Sequence, residues 1–581
     1  MSSNARRAPL RGQLSPVGIL IGCVGCVIIT ASSVYTALKM GSLPWPTVFT
    51  SITALVLLRA AGRTSLNEAN ITQVIMSAGS MVAGGLAFTI PGVWILGAGD
   101  DVSMLEMLAV ALAGTLLGLV CTALIRRHFV DESDLEYPIG RAAAETLLAS
   151  RAGGQTGRML FGSMAAAGAW CVARDVLGII PALVAQAPIP GVATGLQLSP
   201  MRWAVGFLAG RRSIIWWAVG AVAGWFGIVW AGSALGLWDV SSAQGIVSSL
   251  GMGLMMGSGA GVVIKDVALP LLRRGRASVA VERGNGDGLS QVPHEPKAPV
   301  SPSSEPGTAR SERPSQGPTP TRDRGLLALM VAAAALVLCF VLGFSPLVCL
   351  VVVALSFVTA VMSAQSVGQS GIDPMEIFGL IVLLFVAAFS ESTRVQLFFV
   401  AGVIAVACGL AGDVMSDFKT GQIIGTDPRA MWAGQAIGAL LGTFVAVGAM
   451  AALVGAYGTD AFGTDALFVA AQANVVATMV SGIPSTTAFI VGLAVGVALY
   501  LAGIPSMMLG LGVYLPFYMS ISTVAGAVVR WVWDRVRVAH GADPAQTEEA
   551  GVVVASGVLG GESIVGVIIA FFSVAAGLAG A

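Results

Sequence analysis

Residues 365–385 read QSVGQSGIDPMEIFGLIVLLF, with Gln365, Gln369, Asp373 and Glu376 set directly in front of an unbroken apolar run. Ionisable groups in such a place are costly and rare, so their presence asks for an explanation. The run is one of many: stretches of about 20 apolar residues recur from end to end, each long enough to cross ~30 Å of hydrocarbon. Of 581 residues, 56% are hydrophobic and 11% charged, and the mean hydropathy is +0.84. A soluble domain carries roughly 25% charged residues. The chain therefore reads as an all-α polytopic membrane protein, because helices satisfy their backbone polar groups within one segment. Its 74 glycines suit close helix packing.

Formal net charge is zero and the basic residues form short clusters, so nothing points to nucleic acid as a partner. Cys23 and Cys26 form a lone CxxC inside the first apolar run, with no second pair to complete a metal or redox site. The histidines, His128, His294 and His540, fall in polar connections. No cofactor or metal is expected. The N-terminal MSSNARRAPLRGQLSP has the basic character of a signal peptide, but no convincing cleavage site precedes Tyr35 and Lys39. It reads as the approach to a retained first helix.

Counting apolar runs between polar or Pro/Gly breaks gives about sixteen membrane helices. They fall into two groups, with a tail at 1–14, a first transmembrane half at 15–271, a linker at 272–324 and a second half at 325–581. The linker is rich in Pro, Ser, Gly and mixed charge, cannot bury a core and is expected to be disordered. The halves repeat one another. Gly41, Pro44, Gly79 and Phe88 meet the same residue types 330 positions later, at Gly371, Pro374, Gly409 and Phe418. Gly206, Gly220, Trp225 and Gly251 meet Gly512, Gly526, Trp531 and Gly557 at a spacing of 306. The difference of 24 predicts extra chain in the first half. Repeated halves with interrupted or re-entrant helices are a transporter design, since unwound backbone offers donors and acceptors to a polar solute.

Arg6, Arg7 and Arg11, then Arg59 and Arg63, Arg126 and Arg127, and Arg273, Arg274 and Arg276 all fit a cytoplasmic N-terminus and linker. Arg530, Arg535 and Arg537 fit badly with sixteen full spans, so one C-terminal segment is expected to be miscounted or re-entrant.

Three stretches carry chemistry. YPIGRAAAETLLAS (137–150) brings Glu145 into a small, apolar surface. The opening stretch brings Gln369, Asp373 and Glu376. GLAGDVMSDFKTGQIIGTDP (409–428) places Asp413 and Asp417 four apart on one helix face, with Lys419 close enough in sequence to offset one of them. Two carboxylates so placed repel unless one is protonated or paired. Glu562, between Gly560-Gly561 and an apolar run, has no basic neighbour in sequence and is a further proton-site candidate. The plainer reading of Asp373 and Glu376 is a helix start, where acids favour the macrodipole and Pro374 suits the first turn. Asp175 beside Arg174 reads as an ion pair or snorkelling site, and Glu391 as a span end paired with Arg394. Gly253, Gly257 and Gly261 read as packing.

Together the three stretches resemble the oligopeptide transporter family, in its bacterial branch related to the yellow stripe-like transporters of metal chelates. LPWPTVFTSI (43–52), NEANITQVIMSAGSMVAGGLAFTIPGVWILG (67–97), Gly371-Ile372-x-Pro374-Met375, DFKTGQIIGTDPRA (417–430), GVYLPFYMSISTVAGAVVRWVWDR (512–535) and GVVVASGVLGGESIVGV (551–567) carry the likeness in family order. Ile139 stands where the family has an acid, and the Asn-Pro-Gly and Lys-Ile-Pro-Pro-Arg motifs of the eukaryotic peptide branch are absent. The resemblance implies secondary, proton-coupled transport of small oligopeptides or peptide-like metal chelates, with protons and the lipid bilayer as partners and homo-oligomerisation left open. It also implies a multi-pass protein of the cell membrane, not an enzyme. A channel for small polar solutes is the main alternative. A remote one is an intramembrane protease, from GAGDD (97–101), whose second aspartate would have to lie on a facing helix. No P-loop is present. The candidate pathway residues are Asp413, Asp417, Lys419, Gln369, Asp373, Glu376, Glu145, Glu562 and Lys39, the last in the first-half counterpart of the opening stretch.

Overall fold

In the computed structural model, residues 13–580 are described apart from 41–46, 98–101, 153, 210, 263, 266–321, 464–465, 467 and 481–482. Most of the expected tail and linker, and both aspartates of GAGDD, lie outside the described residues. In chain order the first half contributes α1 (Pro16–Met40), α2 (Thr47–Ala60), α3 (Leu66–Ala87), α4 (Pro91–Ile95), α5 (Met104–Arg126), α6 (Pro138–Ala152), α7 (Gly154–Cys171), α8 (Pro200–Leu208), α9 (Arg211–Ala221) and α10 (Val240–Val262). Then come α11 (Arg322–Phe340), α12 (Pro346–Ser370), α13 (Met375–Ala387), α14 (Arg394–Ile424), α15 (Pro428–Tyr457), α16 (Ala471–Val480), α17 (Thr486–Leu501), α18 (Ser506–Tyr514), α19 (Phe517–Ala539) and α20 (Pro544–Gly580). Eight helices among the described residues are long and apolar enough to cross a membrane, with shorter apolar helices between them.

The boundaries follow local chemistry. Ser103 with Glu106 and Thr393 with Gln396 form capping boxes at the heads of α5 and α14. The Asp427 side chain caps α15 ahead of Pro428 at its first position. Gly371, at φ 72°, ends α12 in the left-handed conformation that glycine adopts without strain.

The helices repeat at the two spacings read from the sequence. α1 and α12 start 330 residues apart, at Pro16 and Pro346, and α8 and α18 start 306 apart, at Pro200 and Ser506. The extra 24 residues sit where expected: 28 residues separate α7 from α8, whereas four separate α17 from α18. That excursion holds a π-helical turn, Val172–Val176, and two short antiparallel pairings, Leu183–Val184 with Leu196–Gln197 and Pro188–Ile189 with Val192–Ala193. α11 precedes the second repeat and has no first-half counterpart.

The halves interlock reciprocally. α3 packs on α15 as α14 packs on α5, and α10 packs on α17 as α20 packs on α7. The glycines that repeat at 306 are contact points. A Cβ on Gly206 would lie 1.8 Å from the Thr523 carbonyl oxygen and one on Gly512 2.1 Å from that of Trp217. One on Gly220 would lie 2.2 Å from the Leu509 oxygen, and one on Gly526 2.0 Å from that of Trp203. Thr523 and Leu509 lie 306 residues beyond Trp217 and Trp203, so each crossing is made twice with the roles of the halves exchanged.

One end of the assembly carries the linker. Lys265 precedes the linker and shares a cavity with Asp134 and Glu136. At that end Gln422 donates to the Val130 carbonyl at 2.8 Å, and the Asp427 amide donates to Gln13 at 2.9 Å. Arg530, near the end of α19, comes within electrostatic range of Glu136. α8 and α18 are nine residues each, about 14 Å, and cannot cross ~30 Å of hydrocarbon, so a count that takes one of them alone as a span inverts the orientation of the segments after it.

Candidate functional site

α14 is the axis of the site. Nearly every residue from Leu397 to Gly421 is buried, with α3, α5, α6, α12 and α13 packed around it. Small residues allow this approach: a Cβ on Gly412 would fall 1.7 Å from the Ser363 Oγ of α12, and one on Gly140 would fall 2.2 Å from the Ser416 carbonyl. Thr420 Oγ1 donates to the Gly140 carbonyl at 2.8 Å. The head of YPIGRAAAE is thereby laid flat against the aspartate-bearing face.

Two short helices approach that face. α2 and α13 have 14 and 13 residues, about 20 Å of helix and too short to span the hydrocarbon alone. Asp373 lies in the break before α13, and Glu376 in its first turn. Asp413 lies within electrostatic range of Asp373, Asp417 and Glu376. Asp417 Oδ1 accepts from Gln73 Nε2 at 2.8 Å, and its Oδ2 accepts from Ser77 Oγ at 3.0 Å. Thr47, the first residue of α2, also faces Asp417. The 413–417 face thus touches the heads of both half-length helices.

All four carboxylates are at most 7% exposed. Among the described residues none of them forms an ion pair with Lys or Arg. Among the described residues Oδ1 of Asp413 has no hydrogen-bond partner, and Asp373 faces the Ser363 hydroxyl. Among the described residues, hydroxyl, amide and helix-head dipoles face the acids instead. The pseudo-equivalent positions of Asp413 and Asp417, 330 residues earlier, are Ala83 and Ala87. The acids are therefore a property of the second half alone, answered by polar side chains of the first.

The ends of the broken helices are clamped in matching fashion. The Tyr137 amide donates to the Gly368 carbonyl near the end of α12, and the Ala470 amide to the Leu38 carbonyl near the end of α1, both at 2.9 Å. Tyr137 and Ala470 are non-glycine residues at φ 48° and 42°, a conformation that costs about 1–3 kcal/mol and persists only where surroundings impose it. Beyond these clamps the two ends differ. At the linker end lies a cavity of about 470 Å³ lined by Arg211, Arg212, Lys265, Asp134, Glu136 and Gln369, among others. At the Leu38 end Phe462 stacks on Phe468 at 5.3 Å and Trp94 meets Phe462 at a tilt, 4.9 Å between ring centres, all three rings buried.

The other candidates separate. Lys419 does not meet Asp413 or Asp417: its charged neighbours are Asp131, Arg141 and Asp134. Two residues along a helix turn a side chain by about 200°, which points it off the aspartate face. Glu562, without a basic neighbour in sequence, accepts from Arg174 at 2.8 Å, from Ser199 Oγ and from the Met201 amide at 2.6 Å. Arg174 also pairs with Asp175 at 2.6 Å, as expected. Glu145 is half-buried on α6. Glu391 and Arg394 are both exposed, and among the described residues neither forms an ion pair. Lys39 lies in α1, but its side chain falls outside the described residues, as do residues 41–46. The sequence reading missed Gln73, Ser77 and Thr47; the signal for the first two was a pair of polar side chains four apart in an otherwise apolar helix.

Residues 13–573 match the family described as "OPT oligopeptide transporter protein". The chain is also 24% identical over 614 residues, covering 92% of each sequence, to a Haemophilus influenzae protein described as "Putative oligopeptide transporter". A match of this extent, on a membrane-grade helical fold with repeated halves, places the molecule among integral multi-pass transporters and not among enzymes. The chain belongs to the oligopeptide transporter family.

Proposed function

We propose that the chain is a secondary active transporter that uses the proton gradient to move small oligopeptides or peptide-like metal chelates along the 413–417 face of α14. The observation that carries this reading is the set of four buried carboxylates, Asp373, Glu376, Asp413 and Asp417, gathered between the heads of α2 and α13 with no cationic side chain paired to them among the described residues. An uncompensated charge buried in protein is expensive, so such groups hold protons or meet a cation. A proton and a peptide ammonium are both candidates, and a cluster of four carboxylates can load the two together, so that both move in the same direction. Gln369 and the unwound residues 371–374 supply amide and carbonyl groups beside the acids. Arg63, Arg126, Arg127 and Lys265, close to or at the linker end, support a cytoplasmic linker and N-terminus in the cell membrane.

The test is proton movement driven by solute. Full-length protein in liposomes containing a trapped pH indicator, with no imposed gradient, is given an inward gradient of dialanine. Acidification of the lumen supports coupling. Dialanine entry with an unchanged lumenal pH removes protons from the mechanism and leaves a passive pathway.

A further inference from the structure

The cavity at the linker end has a charge arrangement of its own. Arg211 and Arg212 come from the head of α9, Lys265 from beyond the end of α10, and Asp134 and Glu136 from the segment before α6. Charges of both signs line one cavity, yet among the described residues none of these five forms an ion pair. Arg212 donates through Nη2 to the Gly503 carbonyl at 2.6 Å, fixing the head of α9 to the turn between α17 and α18. Lys265 lies 5.6 Å from the centre of the Tyr500 ring. Gln369 also lines the cavity, and among the described residues its buried Oε1 has no hydrogen-bond partner. Gln369 is four residues from Asp373, so the cavity floor is continuous in sequence with the carboxylate cluster. The turn at Gly503–Pro505 lines the cavity, whereas the corresponding connection in the first half is the 28-residue excursion between α7 and α8.

We propose that this cavity is the linker-side recognition site for an amphoteric solute with a free carboxylate and a free ammonium. Arg211 and Lys265 receive the carboxylate, Asp134 and Glu136 the ammonium, and Gln369 accepts from an amide N–H between them. Separated charges that do not neutralise each other suit a ligand whose own charges are separated, and the cavity lies within the size range of small-molecule sites. Both types of contact are charge-assisted hydrogen bonds, the stronger class. The inference rests on the proposal that the cargo is a peptide or chelate, and names the groups that distinguish such cargo from a neutral polar solute.

The experiment measures binding to the purified full-length protein in detergent by isothermal titration, with dialanine, its C-terminal amide and its N-acetyl form as probes. Wild type is expected to bind dialanine about tenfold or more tightly than either blocked form, the worth of one lost charged hydrogen bond. The double substitution R211Q/K265Q should weaken dialanine about tenfold or more and leave the amide unchanged, whereas D134N should do the same to dialanine and spare the N-acetyl form. Arg211, Lys265 and Asp134 are exposed, so these changes should leave the fold intact. Equal losses for free and blocked peptides, or no loss in any variant, overturn the proposal while leaving the substrate reading standing. Failure of wild type to bind any of the three overturns both.

Discussion

Gly206→Ala and Gly512→Ala test the reciprocal packing directly, because each puts a methyl group onto a backbone carbonyl of the other half. The methyl carbon would stand 1.8 Å from the Thr523 oxygen and 2.1 Å from the Trp217 oxygen. A carbon–oxygen contact needs more than 3 Å, so each helix pair must separate by about 1 Å or bend, and overpacking of this kind costs roughly 1–3 kcal/mol. Neither carbonyl belongs to a flexible side chain that could swing away. Gly162→Ala and Gly448→Ala are the controls, since among the described residues no atom outside the local helix backbone lies within 4 Å of the new methyl group in either; in a helix that replacement gains about 0.5–1 kcal/mol. Purified variants are heated in steps and the monodisperse fraction is measured by size-exclusion fluorescence. Gly206→Ala and Gly512→Ala should both lose the monodisperse peak at lower temperature than wild type, by similar amounts, and the controls should not. If either interface variant survives heating as well as the controls, the helix register across the halves is wrong.

Glu562→Gln removes one of the carboxylates that hold Arg174 but leaves Asp175, so it should lower stability by about 1–3 kcal/mol without abolishing coupled uptake; lost uptake at unchanged thermal stability would return Glu562 to the pathway. Replacing residues 280–320 with a shorter Gly/Ser chain should leave uptake intact, since a long flexible connection costs little entropy per added residue. Loss of uptake in the correctly inserted protein would assign the linker a regulatory or binding role.

Much of this architecture was legible because apolar runs, prolines and repeated glycines act locally. Gly206, Gly220, Gly512 and Gly526 were weak matches as letters and became strong as contacts, since each is small for the same crossing. Asp413 and Asp417 could be placed on one face from helical periodicity alone. The same periodicity should have turned Lys419 away from them, and proximity in sequence was the misleading cue. Arg174 and Glu562 are 388 residues apart and meet only through the packing of α7 against α20, which no local pattern encodes. The meeting of Asp373 with Asp413 likewise depends on how α13 seats on α14. Short helices such as α18 look like spans by hydropathy but not by length, so a count of apolar runs alone overstates the number of crossings.

Coupling of solute to protons by the buried carboxylates is read from accumulation by liposomes reconstituted with wild type and Asp417→Asn. Across 100 mV each coupled charge supplies about 2.3 kcal/mol, which corresponds to roughly 50-fold accumulation of a neutral solute at one tenfold step per 1.36 kcal/mol. Asparagine can still accept from Gln73 and meet Ser77, so the fold and the exchange of dialanine across the membrane should persist. The account predicts accumulation by wild type that disappears when the proton gradient is collapsed, and exchange without accumulation in Asp417→Asn. Accumulation by both Asp417→Asn and Asp413→Asn equal to that of wild type, or accumulation by wild type that survives collapse of the gradient, would contradict it.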